Sequence, residues 1–122
     1  MGVDAEERAF IEMADRQVEL TLLAAVANHV RHTHPGLLPL ENPQFADYAA
    51  EQGRRMVAAA ALFDELLSKR PWMAGNRFTI ADITAFCGLE FARLVKFRPA
   101  DAGLKHLAHW RERVAERPSA KL

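Results

Sequence analysis

The chain has 122 residues, of which 50% are hydrophobic, and 16 basic against 16 acidic side chains give a formal net charge of zero. This length fits one domain, residues 1–122, with a core of its own. Balanced charge argues against a general nucleic-acid or membrane-surface binder, which needs clustered basic residues. The sequence has no recognisable signal peptide or membrane span. Its single cysteine, Cys87, forms no internal disulfide, so we predict a cytoplasmic protein.

The first predicted helix runs from Asp4 to about Arg31 and has two apolar faces. One stripe at helical spacing consists of Ile11, Val18, Leu22 and Ala25. A second stripe, roughly on the opposite side, consists of Met13, Leu20, Ala24 and Ala27. The domain's own core covers one face. The other face therefore needs another domain or another subunit, or it remains exposed.

Three histidines, His29, His32 and His34, lie at the end of this helix. Cationic side chains there interact favourably with the negative end of the helix dipole. Their spacing also resembles that of metal ligands, but no cysteine or nearby carboxylate completes a ligand shell. We therefore predict no metal site and keep an enzyme that uses the histidines only as an alternative. Pro35-Gly36 ends the helix, and an ordered loop follows to about Pro43.

The second predicted helix starts near Pro43, which is allowed in a first turn, and ends near Lys69. Its opposite face is polar. The residues that share its apolar face are Phe45, Tyr48, Ala49, Gln52, Met56, Ala59, Ala60, Phe63, Leu66 and Leu67.

The third predicted helix begins with a complete set of N-terminal capping residues. Thr79 is a suitable N-cap, and Asp82 follows at the position where its carboxylate can reach back to the N–H of Thr79, as in a capping box. Phe78 and Ile83 are placed to close a hydrophobic staple around the cap. Amides and the helix dipole explain Asp82, so we predict a structural role for it and not a catalytic one.

This third helix, about Ile80 to Lys96, is apolar on nearly every face, and we predict that it is buried in the core. Cys87 lies on the predicted core stripe. A cysteine in apolar surroundings has a raised pKa and is inert, so we expect no nucleophile there.

The last predicted helix has Asp101 as its cap and ends at Pro118. The residues that recur at helical spacing on one face are Leu104, Leu107, Ala108, Arg111 and Val114, and Trp110 extends this face. We find no sustained period-two alternation that would indicate a strand. The sequence therefore predicts an all-α fold, a bundle of four long helices with the third helix between its neighbours.

Three segments of the chain resemble one known family. The run Pro71-Trp72-Met73-Ala74-Gly75-Asn76-Arg77-Phe78-Thr79-Ile80-Ala81-Asp82-Ile83 resembles the segment that caps the central helix in the C-terminal, all-helical domain of glutathione S-transferases. The last helix, from Leu104 to Pro118, is similar to the end of that domain. The first helix is similar to its long first helix in the bacterial cytosolic type. The resemblance covers nearly the whole chain.

The resemblance implies a function only in combination with a second domain. In that family an N-terminal thioredoxin-like domain holds glutathione, the co-substrate, and the residue that activates its thiol. Nothing in these 122 residues resembles that domain. We therefore expect a truncated transferase, its C-terminal half, with no catalytic residue, metal or cofactor of its own and no activity alone. Whether the chain belongs to an active enzyme stays open at this point.

The resemblance also implies that this half supplies a wall for a small hydrophobic electrophile and contacts in a dimer, both through the first helix. From the second apolar stripe we select Met13, Arg16, Gln17 and Leu20 as the candidate wall. The partner of this helix would be a second copy of the chain or a thioredoxin-like domain. The alternative is a free-standing helical interaction or dimerisation module without transferase activity.

Overall fold

All regular secondary structure in this computed structural model, which describes residues 2–121, is helical. The α-helices are α1 (Ala5–Val18), α2 (Ala24–Thr33), α3 (Ala46–Leu67), α4 (Ile80–Ala92) and α5 (Lys105–Ala115). Short 3₁₀ turns occupy Pro35–Leu37, Arg93–Val95, Pro99–Ala102 and Pro118–Lys121. Over the described range no strand forms, and the predicted all-α fold class is confirmed. None of the helices described here combines the length and the apolar run that crossing a bilayer requires.

The segments α1 and α2 form one continuous rod, so that four helical rods make up the fold. Asp4 begins the rod, because its Oδ1 accepts a hydrogen bond from the N–H of Glu7 at 2.7 Å. Between α1 and α2 lies a π-helical turn, Glu19–Leu23, in which the N–H of Ala24 bonds the carbonyl of Glu19. The two halves of the rod that this turn joins have different main neighbours: α1 packs on α4, whereas α2 packs mainly on α3.

Helix α3 begins at Ala46, three residues after the predicted start at Pro43. The residues before it are tied to the end of α2: Nδ1 of His32 accepts the N–H of Phe45 at 3.1 Å, and the amide of Gln44 donates to the carbonyls of Arg31 and His34, each at 2.9 Å. Because of this tie the chain stays extended at Phe45.

The predicted apolar face of α3 is buried only from Ala49 onwards. Phe45 and Tyr48 are exposed, and predicting them on the buried face was wrong. The two aromatic rings lie instead beside the ring of His32 at the end of α2. The buried residues of α3 are Ala49, Gln52, Met56, Ala59, Ala60, Phe63 and Leu67.

The N-terminus of α4 is built around one buried carboxylate. Oγ1 of Thr79 accepts the N–H of Ala81 at 3.2 Å, and Oδ2 of Asp82 accepts the N–H of Thr79 at 2.9 Å. The other oxygen of Asp82, Oδ1, accepts the N–H of Met73 at 2.9 Å and the indole N–H of Trp110 at 2.7 Å. Asp82 thus joins the start of α4 to the preceding loop and to α5.

Helix α4 is buried on one side only, which differs from the prediction of a core helix apolar all round. Its inner side, with Ala85 and Leu89, lies in the core. Ile83 is 50% exposed and Cys87 is also exposed, so the expected burial of Cys87 was wrong. The four rods of this chain are too few to cover every face of an apolar helix. α4 ends at Ala92, four residues before the predicted end, and Lys96 then adopts a left-handed conformation with φ of 62°.

The predicted cap of the last helix was also wrong. Asp101 is exposed in the turn Pro99–Ala102, and α5 begins only at Lys105, after the left-handed Gly103. In the first turn of α5 the N–H of Leu107 donates to Oδ1 of Asp64, a residue of α3, at 2.9 Å. The cap therefore comes from another helix and not from the local sequence.

Candidate functional site

The four residues selected as a candidate wall lie on the solvent-facing side of the first rod. Met13 is 57% exposed and Leu20 is 69% exposed, and Arg16 and Gln17 between them are exposed as well. The opposite side of the same helix, with Ala14 and Val18, packs into the core of the domain. Large apolar side chains in open solvent at helical spacing indicate a surface that another molecule or domain covers.

Arg16 lies along its own helix and does not project as a free charge. It forms ion pairs with Glu12, at 2.9 Å, and with Glu19. Glu19 foremost, and then Glu12, raise the pKa of Arg16 above its ordinary value. The positive charge of Arg16 is thereby neutralised by its own helix, and Met13 and Leu20 supply the apolar character of this face.

The π-helical turn shapes this surface. Thr21 in the turn donates its hydroxyl to the carbonyl of Gln17 at 2.5 Å, and Leu20 projects outward from the same turn. A π-helical turn places backbone and side chains at angles that an α-helix does not offer, and such turns occur frequently at functional sites.

Leu20 also borders a groove of about 420 Å³ between the π-helical turn and α3. Most of its lining is aliphatic, with Ala24 and Leu62 on its two sides. Three polar residues also line it, Thr21, Gln52, which is 8% exposed, and Arg55. Of the four wall residues only Leu20 lines the groove. Met13, Arg16 and Gln17 lie outside it, on the continuing face of α1.

The histidines at the end of α2 each have a local partner. Nδ1 of His29 bonds the carbonyl of Ala49 at 2.7 Å, Nε2 of His32 lies 3.1 Å from Glu41, and Nδ1 of His34 accepts the N–H of Gly36 at 3.0 Å. Within residues 2–121 no three or more histidine, cysteine, aspartate or glutamate side chains are grouped to hold a metal ion. These histidines tie the loop and α3 to the end of α2.

One polar contact beneath the wall went unpredicted. The hydroxyl of Thr84 in α4 donates to Oδ1 of Asp15 at 2.6 Å, and Asp15 is buried. The sequence did contain a signal for this pair, because Asp15 falls on the same stripe as Ile11 and Val18, where a carboxylate needs a partner. The contact joins α1 to α4 on the buried side of α1, away from the exposed Met13 and Gln17.

Comparison with known proteins points to one family. The family described as "Glutathione S-transferase, C-terminal domain" matches residues 20–118. Glutathione S-transferase 2 of Saccharomyces cerevisiae is 35% identical over 116 residues, which are 94% of this chain and 49% of the yeast protein. The chain thus spans about half the length of that curated relative.

Two solved structures share the fold along almost the full chain. A glutathione S-transferase domain-containing protein from Marinobacter aquaeolei superimposes with a TM-score of 0.88 at 40% identity, covering 98% of this chain and 58% of that one. Gtt2 from Saccharomyces cerevisiae superimposes with a TM-score of 0.90 at 34% identity, again covering 98% of this chain and 58% of the other.

Proposed function

Since the chain belongs to the glutathione S-transferase family, as its C-terminal domain, we propose that it forms the hydrophobic wall of an electrophile site and part of a dimer interface. Glutathione would be the co-substrate of the complete protein and would bind in a thioredoxin-like domain. The observation that carries this proposal is the exposure of Met13 and Leu20 on a helix whose other face is fully packed.

The chemistry of the wall suits a small hydrophobic electrophile. Met13 offers a polarisable and adaptable surface, and Leu20 offers an aliphatic one at the edge of the groove. Arg16, already paired with Glu12 and Glu19, adds little net charge to attract an anion. The reaction itself, attack of a thiolate on the electrophile, needs a group that lowers the pKa of the thiol. We assign that group to the thioredoxin-like domain.

A chimera tests this proposal. The present chain would replace the corresponding C-terminal part of yeast glutathione S-transferase 2, and conjugation of glutathione to an aromatic electrophile would be followed. We expect activity, and we expect Met13→Ala and Leu20→Ala to raise KM for the electrophile several-fold while KM for glutathione stays within about twofold. Val57→Ala, on an exposed residue of α3, is the matched control. An active chimera in which the wall variants leave the electrophile KM unchanged would refute the wall assignment.

The second candidate is a free-standing helical dimerisation module, and the same exposed face favours it. Light scattering of the purified protein, with and without Leu20→Gln, separates the two functions. A dimer that dissociates in the variant, combined with an inactive chimera, would favour the module. The cytoplasmic location stays a prediction from the single cysteine.

Helix α4 leaves an apolar strip exposed on the side that faces away from the core. Ile80, Ile83 and Cys87 follow one another at helical spacing on the uncovered side of α4, and all three are exposed. We propose that the thioredoxin-like domain covers this strip together with part of α1. In the chimera Ile83→Gln should therefore lower the melting temperature more than in the present chain alone, where it removes only the predicted staple contact with Phe78.

A further inference from the structure

A second pocket, of about 320 Å³, lies between the C-terminal end of α4 and α5. Its floor is apolar and is formed mainly by Leu89, Phe97, Pro99 and Ala108. It shares no residue with the candidate wall or with the groove beside α3. A concave apolar site of this size accommodates a small organic molecule.

Three arginines, Arg93, Arg98 and Arg111, line this pocket against one acidic side chain, that of Glu112. Each arginine comes from a different element, the turn after α4, the loop before Pro99 and α5. Guanidinium groups that converge on an apolar floor select for a molecule with one anionic end and one apolar body.

Glu90, at the end of α4, already binds two of these arginines. It forms an ion pair with Arg93 at 3.0 Å and another with Arg111. Partial burial raises the pKa of Glu90, but the hydrogen bonds from Arg111 and Arg93 outweigh it and the pKa is lowered overall. Glu90 therefore stays ionised at neutral pH and holds both guanidinium groups in place.

Glu90 binds Arg93 and Arg111 but not Arg98, the third arginine of the pocket. Among residues 2–121 the guanidinium of Arg98 has no ion-pair or hydrogen-bond partner, although the side chain lines the pocket beside Phe97 and Pro99. Arg111 is further fixed by the ring of Phe86, with its guanidinium carbon 5.7 Å from the ring centroid. The pocket thus combines one free guanidinium with a pre-positioned second one.

We propose that this pocket binds a small aromatic carboxylate. Its ring would rest on Leu89, Phe97 and Ala108, and its carboxylate would bind the guanidinium of Arg98. A neutral molecule would leave the charge of Arg98 unused, and a polyanion would meet Glu90 and Glu112. The site lies within one chain and does not depend on the transferase reaction.

Titration of the purified protein with 4-phenylbutyrate, followed by amide chemical shifts in NMR spectra, tests the site directly. We expect saturable binding with the largest shifts at Leu89, Phe97 and Ala108. The neutral isostere 4-phenylbutanol should bind at least about tenfold more weakly, because it cannot form the charge-assisted hydrogen bond. Shifts centred on Met13 and Leu20, or no saturation up to about 5 mM, would overturn the proposal.

Two variants and a control complete the test. Arg98→Gln should weaken binding of 4-phenylbutyrate about three- to tenfold, a modest loss because the guanidinium is partly in solvent. Lys96→Gln removes the same charge from an exposed residue outside the lining and should change the affinity less than about twofold. Equal weakening by both variants would mean general electrostatic attraction and would refute the site. Ala108→Leu, which fills the pocket, should abolish binding, and Arg98→Gln decides the question if Ala108→Leu fails to fold.

Discussion

Trp110 donates its indole N–H to Oδ1 of Asp82 at 2.7 Å, and both side chains are fully buried. The same carboxylate accepts the N–H of Met73 and the N–H of Thr79. A single side chain therefore satisfies three buried donors, one in the loop before α4, one at the cap and one in α5. This arrangement makes the N-terminus of α4 the point at which three segments of the fold meet.

Replacing this carboxylate should be among the most damaging single changes in the chain. Asp82→Ala leaves three buried N–H groups without partners, so we expect it to lower the free energy of unfolding by about 3–5 kcal/mol. Asp82→Asn keeps the shape and one acceptor oxygen, and it should cost about 1–3 kcal/mol. Urea unfolding measures both. An Asp82→Ala cost no greater than that of Thr79→Ala, about 1 kcal/mol for a lost cap, would contradict the three-donor arrangement.

The partner in α5 allows a stricter test of the same contact. Trp110→Phe removes the indole donor and some buried volume, and we expect a cost of about 2–4 kcal/mol. In combination with Asp82→Ala the two costs should be less than additive, since either change alone breaks the bond between them. Strict additivity in the double variant would show that the two side chains do not interact energetically.

The capping of α4 and the capping of α5 show what the sequence could and could not predict. Thr79 and Asp82 are three residues apart, so local spacing is enough to place both around one helix terminus. The carboxylate that bonds the first turn of α5 is Asp64, which is 43 residues away from Leu107. Only the packing of α3 on α5 brings Asp64 and Leu107 together. The local sequence pattern predicted Asp101 as the cap instead.

The cap from α3 leads to a second prediction on stability. Asp64→Ala should lower the free energy of unfolding by about 1–2 kcal/mol, because the N–H of the buried residue Leu107 loses its acceptor. Asp101→Ala is the matched control and should change it by less than about 0.5 kcal/mol, since Asp101 is exposed in a 3₁₀ turn. Chemical unfolding of the two variants measures both changes. A larger loss of stability in Asp101→Ala than in Asp64→Ala would mean that Asp101, and not Asp64, caps α5.

The surface of the candidate site was predictable for a different reason. The two apolar stripes of the first helix follow from residue spacing alone, and the exposed one contains Met13 and Leu20. The exposed strip of α4 was not predictable, because a helix that is apolar all round looks the same whether its own chain or another domain covers it. Cys87 was for that reason assigned to the core and proves to be exposed.

Gly53 permits α3 to approach α2 closely at His29. A Cβ atom at Gly53 would lie 2.9 Å from Cε1 of the His29 ring, which is held by the carbonyl of Ala49 at 2.7 Å. Gly53→Ala should gain about 1 kcal/mol of helix propensity but displace the ring and lose its hydrogen bond. We therefore expect a net change in stability near zero or unfavourable.

Gly53→Ala can also be made in a protein that already carries His29→Ala, which separates the gain in helix propensity from the clash with the His29 ring. When His29→Ala is already present, no ring opposes the new Cβ, and Gly53→Ala should stabilise the protein by about 1 kcal/mol. Thermal unfolding of the four proteins measures this coupling. Equal effects of Gly53→Ala in both backgrounds would show that the close approach to His29 carries no energetic consequence.

Glu90 makes the stability of the region between α4 and α5 dependent on pH. Its folded-state pKa is lowered from the ordinary value of 4.5 because the hydrogen bonds from Arg111 and Arg93 outweigh partial burial. A carboxyl group with a lowered pKa contributes stability that is present above about pH 4.5 and is lost as the pH falls through the folded-state value. At pH 7 we expect Glu90→Gln to cost about 0.5–1 kcal/mol, a value limited by solvent exposure.

The difference between the wild-type protein and Glu90→Gln should then shrink as the pH falls below 4.5 and vanish once Glu90 is protonated in the folded state. Glu112→Gln, at an exposed residue with no ion pair among the described residues, is the matched control and should change the urea midpoint at pH 7 less than Glu90→Gln does. Urea midpoints between pH 7 and about pH 2.5 provide the measurement. A cost of Glu90→Gln that stays constant over this range would mean that its ion pairs with Arg93 and Arg111 do not stabilise the fold.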